Sequence, residues 1–428
     1  MSFNRAFNEH IKYSADGALQ VNGVSVEAIA KEYGTPTYVY SLRRIVERYR
    51  AVLGAYSKKL PSVSLHYSMK ANSNLAVIRT LLDEGAGVDC VSGGEVFKAL
   101  KAGCKPELIV FAGVGKTEED VDYAVKEGVC WFDVENEHEL DHIASAARKH
   151  AKEVNVALRI NPDVEADTHP SIATGHGSAK FGLPLQIVKT ILGQAATSWP
   201  ELRFKGLHLH IGSQLKSTDS TKKAIMQSLD YLQDFRSQFT HINIGGGIPI
   251  NYGAKGALPT EEDFAAAVAP LLEGFHVMLE PGRSIVGDAG VLLTKVLYRK
   301  DQDGQRMLIV DTAMTELMRP ALYQAVHPVG AVQETPGVTK EQMERFTIVG
   351  PVCESTDVLA KNVPLSDVSA QPGAMLALLG CGAYGACMAS NYNARPYIAE
   401  VGVDKSGAAK LIRRRQEWSA LITDEIMI

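Results

Sequence analysis

The chain lacks paired cysteines, long hydrophobic runs, basic blocks and internal repeats, and each absence removes a class of protein. Its six cysteines, Cys90, Cys104, Cys130, Cys353, Cys381 and Cys387, include no C-x-x-C pair, which argues against a disulfide framework and a zinc ribbon. That usage fits a reducing compartment, and a cytoplasmic location is expected. No apolar run nears the ~20 residues of a membrane span. The opening MSFNRAFNEHIKYSADG has no apolar core behind a basic head, so no secretory signal is expected either. Forty-four Lys and Arg against 49 Asp and Glu leave a net charge of −5 with no basic cluster. Binding to a phosphate backbone needs such a footprint, so nucleic acid is not an expected partner.

What is present is enough chain for two domains: 428 residues, 46% hydrophobic, with 37 glycines. From residue 36 to about 285 short apolar runs alternate with amphipathic segments, the rhythm of parallel strands joined by helical crossovers. Strands are expected at 63–67, 87–90, 108–111, 131–134, 154–160, 204–210, 241–244 and 276–279. Eight is the number that closes a (β/α)8 TIM-like barrel. Helices are expected between them at 75–83, 95–102, 118–127, 137–150, 185–192, 222–239 and 261–272, the last bending at Pro270. From residue 286 to 428 the pattern turns β-rich with little helix, which reads as a separate β domain. The N-terminal segment 1–35, with a hairpin turn at Asp16-Gly17, is expected to join it.

Barrel enzymes carry their reacting groups at the C-terminal ends of the strands. There this sequence places Lys70 in HYSMKANSN, Asp89, His210 and Ser213 in HLHIGSQ, the triplet Gly245, Gly246 and Gly247, and Glu280, Gly282 and Arg283 in EPGR. A lysine partly desolvated near other cations becomes a neutral amine able to trap a carbonyl compound. Three successive glycines let backbone N–H groups converge on an anion such as a phosphate, although a tight turn alone also explains them. A carboxylate ending an apolar strand, as Glu280 does, needs a cationic partner. A protonated pyridine nitrogen would serve, and so would Arg283. His208 and His210 hint at a metal, but strand alternation is expected to bring only one of them into the mouth, so no metal is expected. GVGKT at 113–117 imitates a nucleotide-binding loop but has Val110 where the first glycine must stand. In the β-rich part, Arg319, Tyr323, Cys353, Glu354 and Tyr384 stand out. Their plainer readings are a surface arginine, a core cysteine and a turn-anchoring tyrosine.

Together Lys70, His210, the glycine triplet and EPGR resemble the fold type III pyridoxal-phosphate enzymes, with an alanine-racemase-like barrel followed by a β domain. HYSMKANSN, HLHIGSQ, LEPGRS, MRPALY, CEST, GAYG and NYNARP are, in this order, similar to the diaminopimelate decarboxylase family, which makes lysine in bacteria. The resemblance implies pyridoxal 5'-phosphate as cofactor, attached at Lys70, stacked on His210 and paired through its ring nitrogen with Glu280. Ser213, Gly245, Gly246, Gly247 and Tyr384 would contact its phosphate. Arg283, Arg319 and Tyr323 would grip the distal carboxylate of the amino-acid substrate, Glu354 would receive the distal ammonium, and Cys353 would donate a proton. It also implies a homodimer in which Cys353 and Glu354 come from the partner subunit. Two arginines and a glutamate suit the second zwitterionic head of meso-diaminopimelate. The rivals are a decarboxylase of carboxynorspermidine or ornithine, an amino-acid racemase and a non-catalytic relative. A racemase would set an arginine against the pyridine nitrogen in place of Glu280, and a non-catalytic relative should have lost Lys70 or Cys353.

Overall fold

The computed structural model describes residues 6–165, 167–168, 174–175, 179–253 and 256–428. Two compact units emerge, one of Arg48–Ile250 with Ala257–Ser284, the other of Met1–Glu47, Asn251–Gly256 and Ile285–Ile428.

The first unit is a closed, all-parallel barrel. Its strands are β1 (Val63–Ser68), β2 (Gly87–Cys90), β3 (Ile109–Phe111), β4 (Trp131–Val134), β5 (Val154–Asn161), β6 (Leu202–Leu209), β7 (His241–Asn243) and β8 (His276–Leu279). Each pairs with the next, and β8 returns to β1. Closure pairs each of these eight strands on both sides, and the two-residue strand Leu183–Pro184 adds to the end of β5. The strands form where the sequence offers buried apolar residues at every second position. Leu65 and Tyr67, Phe132 and Val134, and Leu207 and Leu209 are all buried. The intervening positions face the lumen and are unusually polar: His66 and Ser68 on β1, Asp89 on β2, Asp133 on β4, Arg159 on β5, His208 on β6 and Asn243 on β7. Proof of that facing is a contact between strands that are not neighbours, since Asn243 on β7 donates to Asp133 on β4 at 3.0 Å.

The crossover helices start on well-made caps. Thr117 and Thr260 each form a reciprocal capping box, with Asp120 and Asp263 respectively. Helix Asp219–Tyr231 and the 3-10 turn Gln233–Gln238 occupy the stretch expected as one helix over 222–239. Pro270 ends helix Glu261–Val268 in a 3-10 turn, because proline removes a donor from the helical ladder.

In the second unit a sheet runs Val358–Leu365, Glu344–Val349, Gln305–Val310, Gly290–Gln302, Thr37–Ser41, Ala399–Val403 and Ala409–Arg413, with Met375–Leu379 also paired to Gly290–Gln302. The N-terminal strands Ile11–Tyr13, Leu19–Val21 and Val24–Ser25 form a small sheet. Its Ile11, Leu19 and Val21 share a core with Val39, Val291 and Val401. One boundary is corrected. The barrel was expected to open at residue 36, yet Thr37–Ser41 pairs with Gly290–Gln302 and Ala399–Val403 in the second sheet. Its residues are buried on both faces, Tyr38 and Tyr40 in one core and Val39 in another, so it reads as a run of apolar residues rather than an alternation. Among the described residues no helix is long and apolar enough to cross a membrane.

Candidate active site

At the C-terminal end of β1 the chain tightens into the 3-10 turn Met69–Ala71, which presents Lys70. Its Nζ lies 3.4 Å from Asp89 Oδ2, with the lysine side chain 41% exposed and the aspartate fully buried. The contact is with a carboxyl group, where nearby cations were expected. Ser68 Oγ donates to the same Asp89 oxygen at 2.6 Å, while Asp89 Oδ1 is buried without a partner. Burial raises the Asp89 pKa, against the pull of Lys70.

Glu280 follows β8 and is the hub of the lumen. Asn243 Nδ2 donates to its Oε1 at 2.5 Å, and His208 Nε2 lies 3.2 Å from its Oε2. His208 Nδ1 faces Asp133 Oδ2 at 3.1 Å, and Trp131 Nε1 donates to Asp133 Oδ1 at 3.2 Å. Burial pushes the Glu280 pKa up, but His208, Lys70 and the Asn243 amide outweigh it and hold the carboxyl well below its ordinary range. For Asp133 the balance goes the other way: burial, reinforced by the Glu280 charge, exceeds the pull of His208 and raises it well up.

His208 and His210 stand two residues apart, and positions i and i+2 of a strand share a face. The expectation that only one of them turns inward is therefore wrong. His208 lies in the lumen between two carboxylates, and His210 stands above it against the glycine turn. Gly246 N–H donates to His210 Nδ1 at 3.2 Å, so the ring proton is on Nε2. Burial, with Arg159 and Lys70 nearby, drives the His210 pKa well down and keeps that ring neutral.

The glycine triplet is shaped first by sterics. A Cβ on Gly245 would sit 2.5 Å from His210 Nδ1, and Gly245 and Gly247 have φ of +65° and +105°. Gly245 N–H donates to Asn243 Oδ1 at 2.9 Å. With Gly246 N–H on His210, two of the three donors expected to converge on an anion are already committed within the barrel. Gly247 N–H is the donor without a protein partner among the described residues. Ser213 Oγ accepts from Arg283 Nε at 3.1 Å, and Gly282 and Arg283 are buried.

In the second unit Arg319 is not a surface arginine. It is 6% exposed at the start of helix Arg319–Tyr323. Its guanidinium lies 4.6 Å from the centre of the Tyr252 ring and 2.7 Å from His327 Nε2. His327 Nδ1 donates to the Leu379 carbonyl at 2.9 Å, which fixes the tautomer that receives Arg319. Tyr323 and Tyr384 are half-buried, Tyr384 with φ of +55°. Cys353 and Glu354 are exposed on a turn, so Cys353 is not a core cysteine. Cys353 N–H donates to Asn393 Oδ1 at 3.0 Å, and Glu354 Oε1 accepts from Thr356 Oγ1 at 2.6 Å.

Sequence reasoning passed over Asp133, Asn243, Arg159 and His327. The available signal was a polar residue at lumen parity on a short apolar strand, as in WFDV and HIN. The GVGKT segment has a structural job. The Lys116 side chain is wholly buried, donates to the Gly113 and Asp133 carbonyls and pairs with Glu139.

A family profile described as "Pyridoxal-dependent decarboxylase, pyridoxal binding domain" matches residues 42–287. A curated relative, the diaminopimelate decarboxylase of Aquifex aeolicus (strain VF5), is 39% identical over 434 residues and covers the whole of both chains. Among solved structures, a diaminopimelate decarboxylase from M. jannaschii in co-complex with L-lysine is similar with a TM-score of 0.90, at 32% identity over 99% of each chain. A lysine/ornithine decarboxylase complexed with putrescine from Vibrio vulnificus reaches a TM-score of 0.75, at 26% identity over 89% of this chain and 96% of that one.

Proposed function

Because the chain belongs to the pyridoxal-dependent decarboxylases, and within them to the diaminopimelate decarboxylases, we propose that the mouth of its barrel removes carbon dioxide from meso-diaminopimelate to leave L-lysine. Pyridoxal 5'-phosphate is the cofactor. The residues present fit it: a lysine amine, a buried carboxylate held as an anion, and the unpartnered buried Asp89 Oδ1. Bound there, pyridoxal phosphate supplies the electron sink that takes up the pair left by the departing carboxylate.

The remaining work falls to the chain. Lys70 Nζ is the amine that holds the cofactor covalently. Glu280 offers a fixed negative charge to the ring nitrogen, and a carboxylate there favours the protonated pyridine. His210 presents a neutral face, adding no charge beside a cationic ring. Gly247, Ser213 and Tyr384 serve the phosphate end, while Gly245 and Gly246 shape the turn that brings Gly247 into place. Arg283, Arg319 and Tyr323 bind the far carboxylate of the substrate, with Arg319 oriented by His327, and Glu354 takes the far ammonium. Cys353 Sγ delivers the proton that replaces carbon dioxide. The exposed position of Cys353 and Glu354 supports a homodimer in which these two residues complete the partner's site, and a cytoplasmic location suits such an enzyme. Mixing the inactive variants Lys70→Ala and Cys353→Ala should then restore about a quarter of wild-type activity, because random pairing leaves one intact site in half of the dimers.

The observation that carries this reading is the buried Glu280 carboxyl, 2.5 Å from Asn243 Nδ2 and 3.2 Å from His208 Nε2, an acid placed to meet a cationic ring and not the arginine-paired ring of a racemase. The test is incubation with pyridoxal phosphate and either meso-diaminopimelate or ornithine. Lysine and carbon dioxide should come from the first and no putrescine from the second. Turnover of ornithine alone would favour the diamine-forming rival.

A further inference from the structure

We propose that His208 is a positioning residue for this reaction, an imidazolium clamped between Asp133 and Glu280 that keeps Glu280 ionised towards the cofactor. The inference rests on the function proposed above and deepens it.

His208 Nδ1 lies 3.1 Å from Asp133 Oδ2, and Nε2 lies 3.2 Å from Glu280 Oε2. A neutral imidazole has one N–H and one lone pair. In either tautomer the lone pair would face a carboxylate oxygen at close range. Burial raises the Asp133 pKa, yet both its oxygens act as acceptors, Oδ1 from Trp131 Nε1 and Oδ2 from Asn243 Nδ2, and with both acids ionised only the cation turns both contacts into attractions. Charge holds the ring on both sides, and at 1% exposure there is no bulk water to weaken it.

The surroundings agree. Asn243 Nδ2 lies 3.0 Å from Asp133 Oδ2 and 2.5 Å from Glu280 Oε1, so its two protons serve both carboxylates. Of the other charged groups bearing on this cluster, Arg159 opposes the His208 charge and Asp89 favours it. Burial alone would leave His208 neutral, but Asp133 and Glu280 together reverse that and raise its pKa. The same three residues could resemble a metal site. An ion there, however, would compete for the Asp133 and Glu280 oxygens that Asn243 Nδ2 already holds at 3.0 and 2.5 Å.

The consequence is chemical. With a fixed cation behind it, Glu280 is a weaker base, and a proton shared with a pyridine nitrogen stays on the nitrogen. Asp133 holds the cation from the far side, so His208 cannot swing away.

Neutron diffraction from deuterated wild-type holoenzyme tests this directly. Deuterons on both ring nitrogens of His208, and none on Glu280, are expected. A bare ring nitrogen overturns the proposal. His208→Gln supplies a second reading. Its kcat should fall about tenfold or more with KM within about twofold, and the pH at which the bound cofactor's visible band changes should move by about one unit or more. An unchanged band and unchanged kcat overturn the positioning role. Should that variant not fold, the neutron map still decides. If the wild type makes no lysine, the function falls while the proton count on His208 is judged separately.

Discussion

Two layers of the barrel lumen hold histidines, and they treat the same side chain in opposite ways. In the upper layer His208 meets two carboxylates and becomes more basic. At the floor His66, His241 and His276 meet hydroxyls instead: Ser64 Oγ lies 3.1 Å from His66 and 2.8 Å from His276, and Thr240 Oγ1 lies 2.7 Å from His241. The His241 and His276 rings sit 4.9 Å apart, and Trp131 lies 4.8 Å from His241. Burial pushes His66 and His241 down to about 4 and lowers His276 as well. Burial acts on both layers, so the partner decides. Carboxylates make a charged layer that can serve chemistry, and hydroxyls make a neutral one that can only pack.

Glu280→Gln breaks the contrast most severely. It removes one of the two acids flanking His208 and the proposed ring-nitrogen partner, so kcat should fall on the order of 100-fold or more, and His208 should lose its proton at lower pH. Activity within about twofold of wild type would dissolve the distinction between the layers.

Acid should find the floor next. Each floor histidine has a folded pKa below its unfolded value of about 6.5. As pH falls from there towards 4 the unfolded chain takes up protons that the folded chain refuses, so stability is lost on that limb. His66, 7% exposed and held at about 4, should lose roughly 3 kcal/mol at most across this window. His208 carries the opposite sign: its contribution is present at low pH and lost as pH rises through its raised pKa. Urea titrations from pH 7 to 4 on wild type and His66→Gln should show a shallower acid decline in the variant. Parallel declines would mean that the floor is not the sensor. The smallest effect belongs to Ser64→Ala, which deletes one hydroxyl shared by two rings and should cost ~1 kcal/mol with kcat unchanged.

The upper layer was the harder to read from sequence. The barrel's outward residues announce themselves, because Leu, Val, Ile and Phe recur at every second position, and all eight strands fall within a few residues of their expected places. Lys70 and Glu280 stand out locally, each closing an apolar strand. Asp133, His208 and Asn243 do not, since they sit on three strands far apart in the chain and gain meaning only when closure brings β4, β6 and β7 around one carboxylate. Thr37–Ser41 escaped for another reason. A strand buried on both faces has no alternation to show, and helix Leu42–Ser57 follows it at once.

The claim on which the rest depends is that the Lys70 amine holds the cofactor. Borohydride reduction of the pyridoxal-phosphate-loaded protein, followed by peptide mapping, should put the added phosphopyridoxyl mass on the peptide containing Lys70. Label on another lysine, or none on a protein that makes lysine from meso-diaminopimelate, would contradict it.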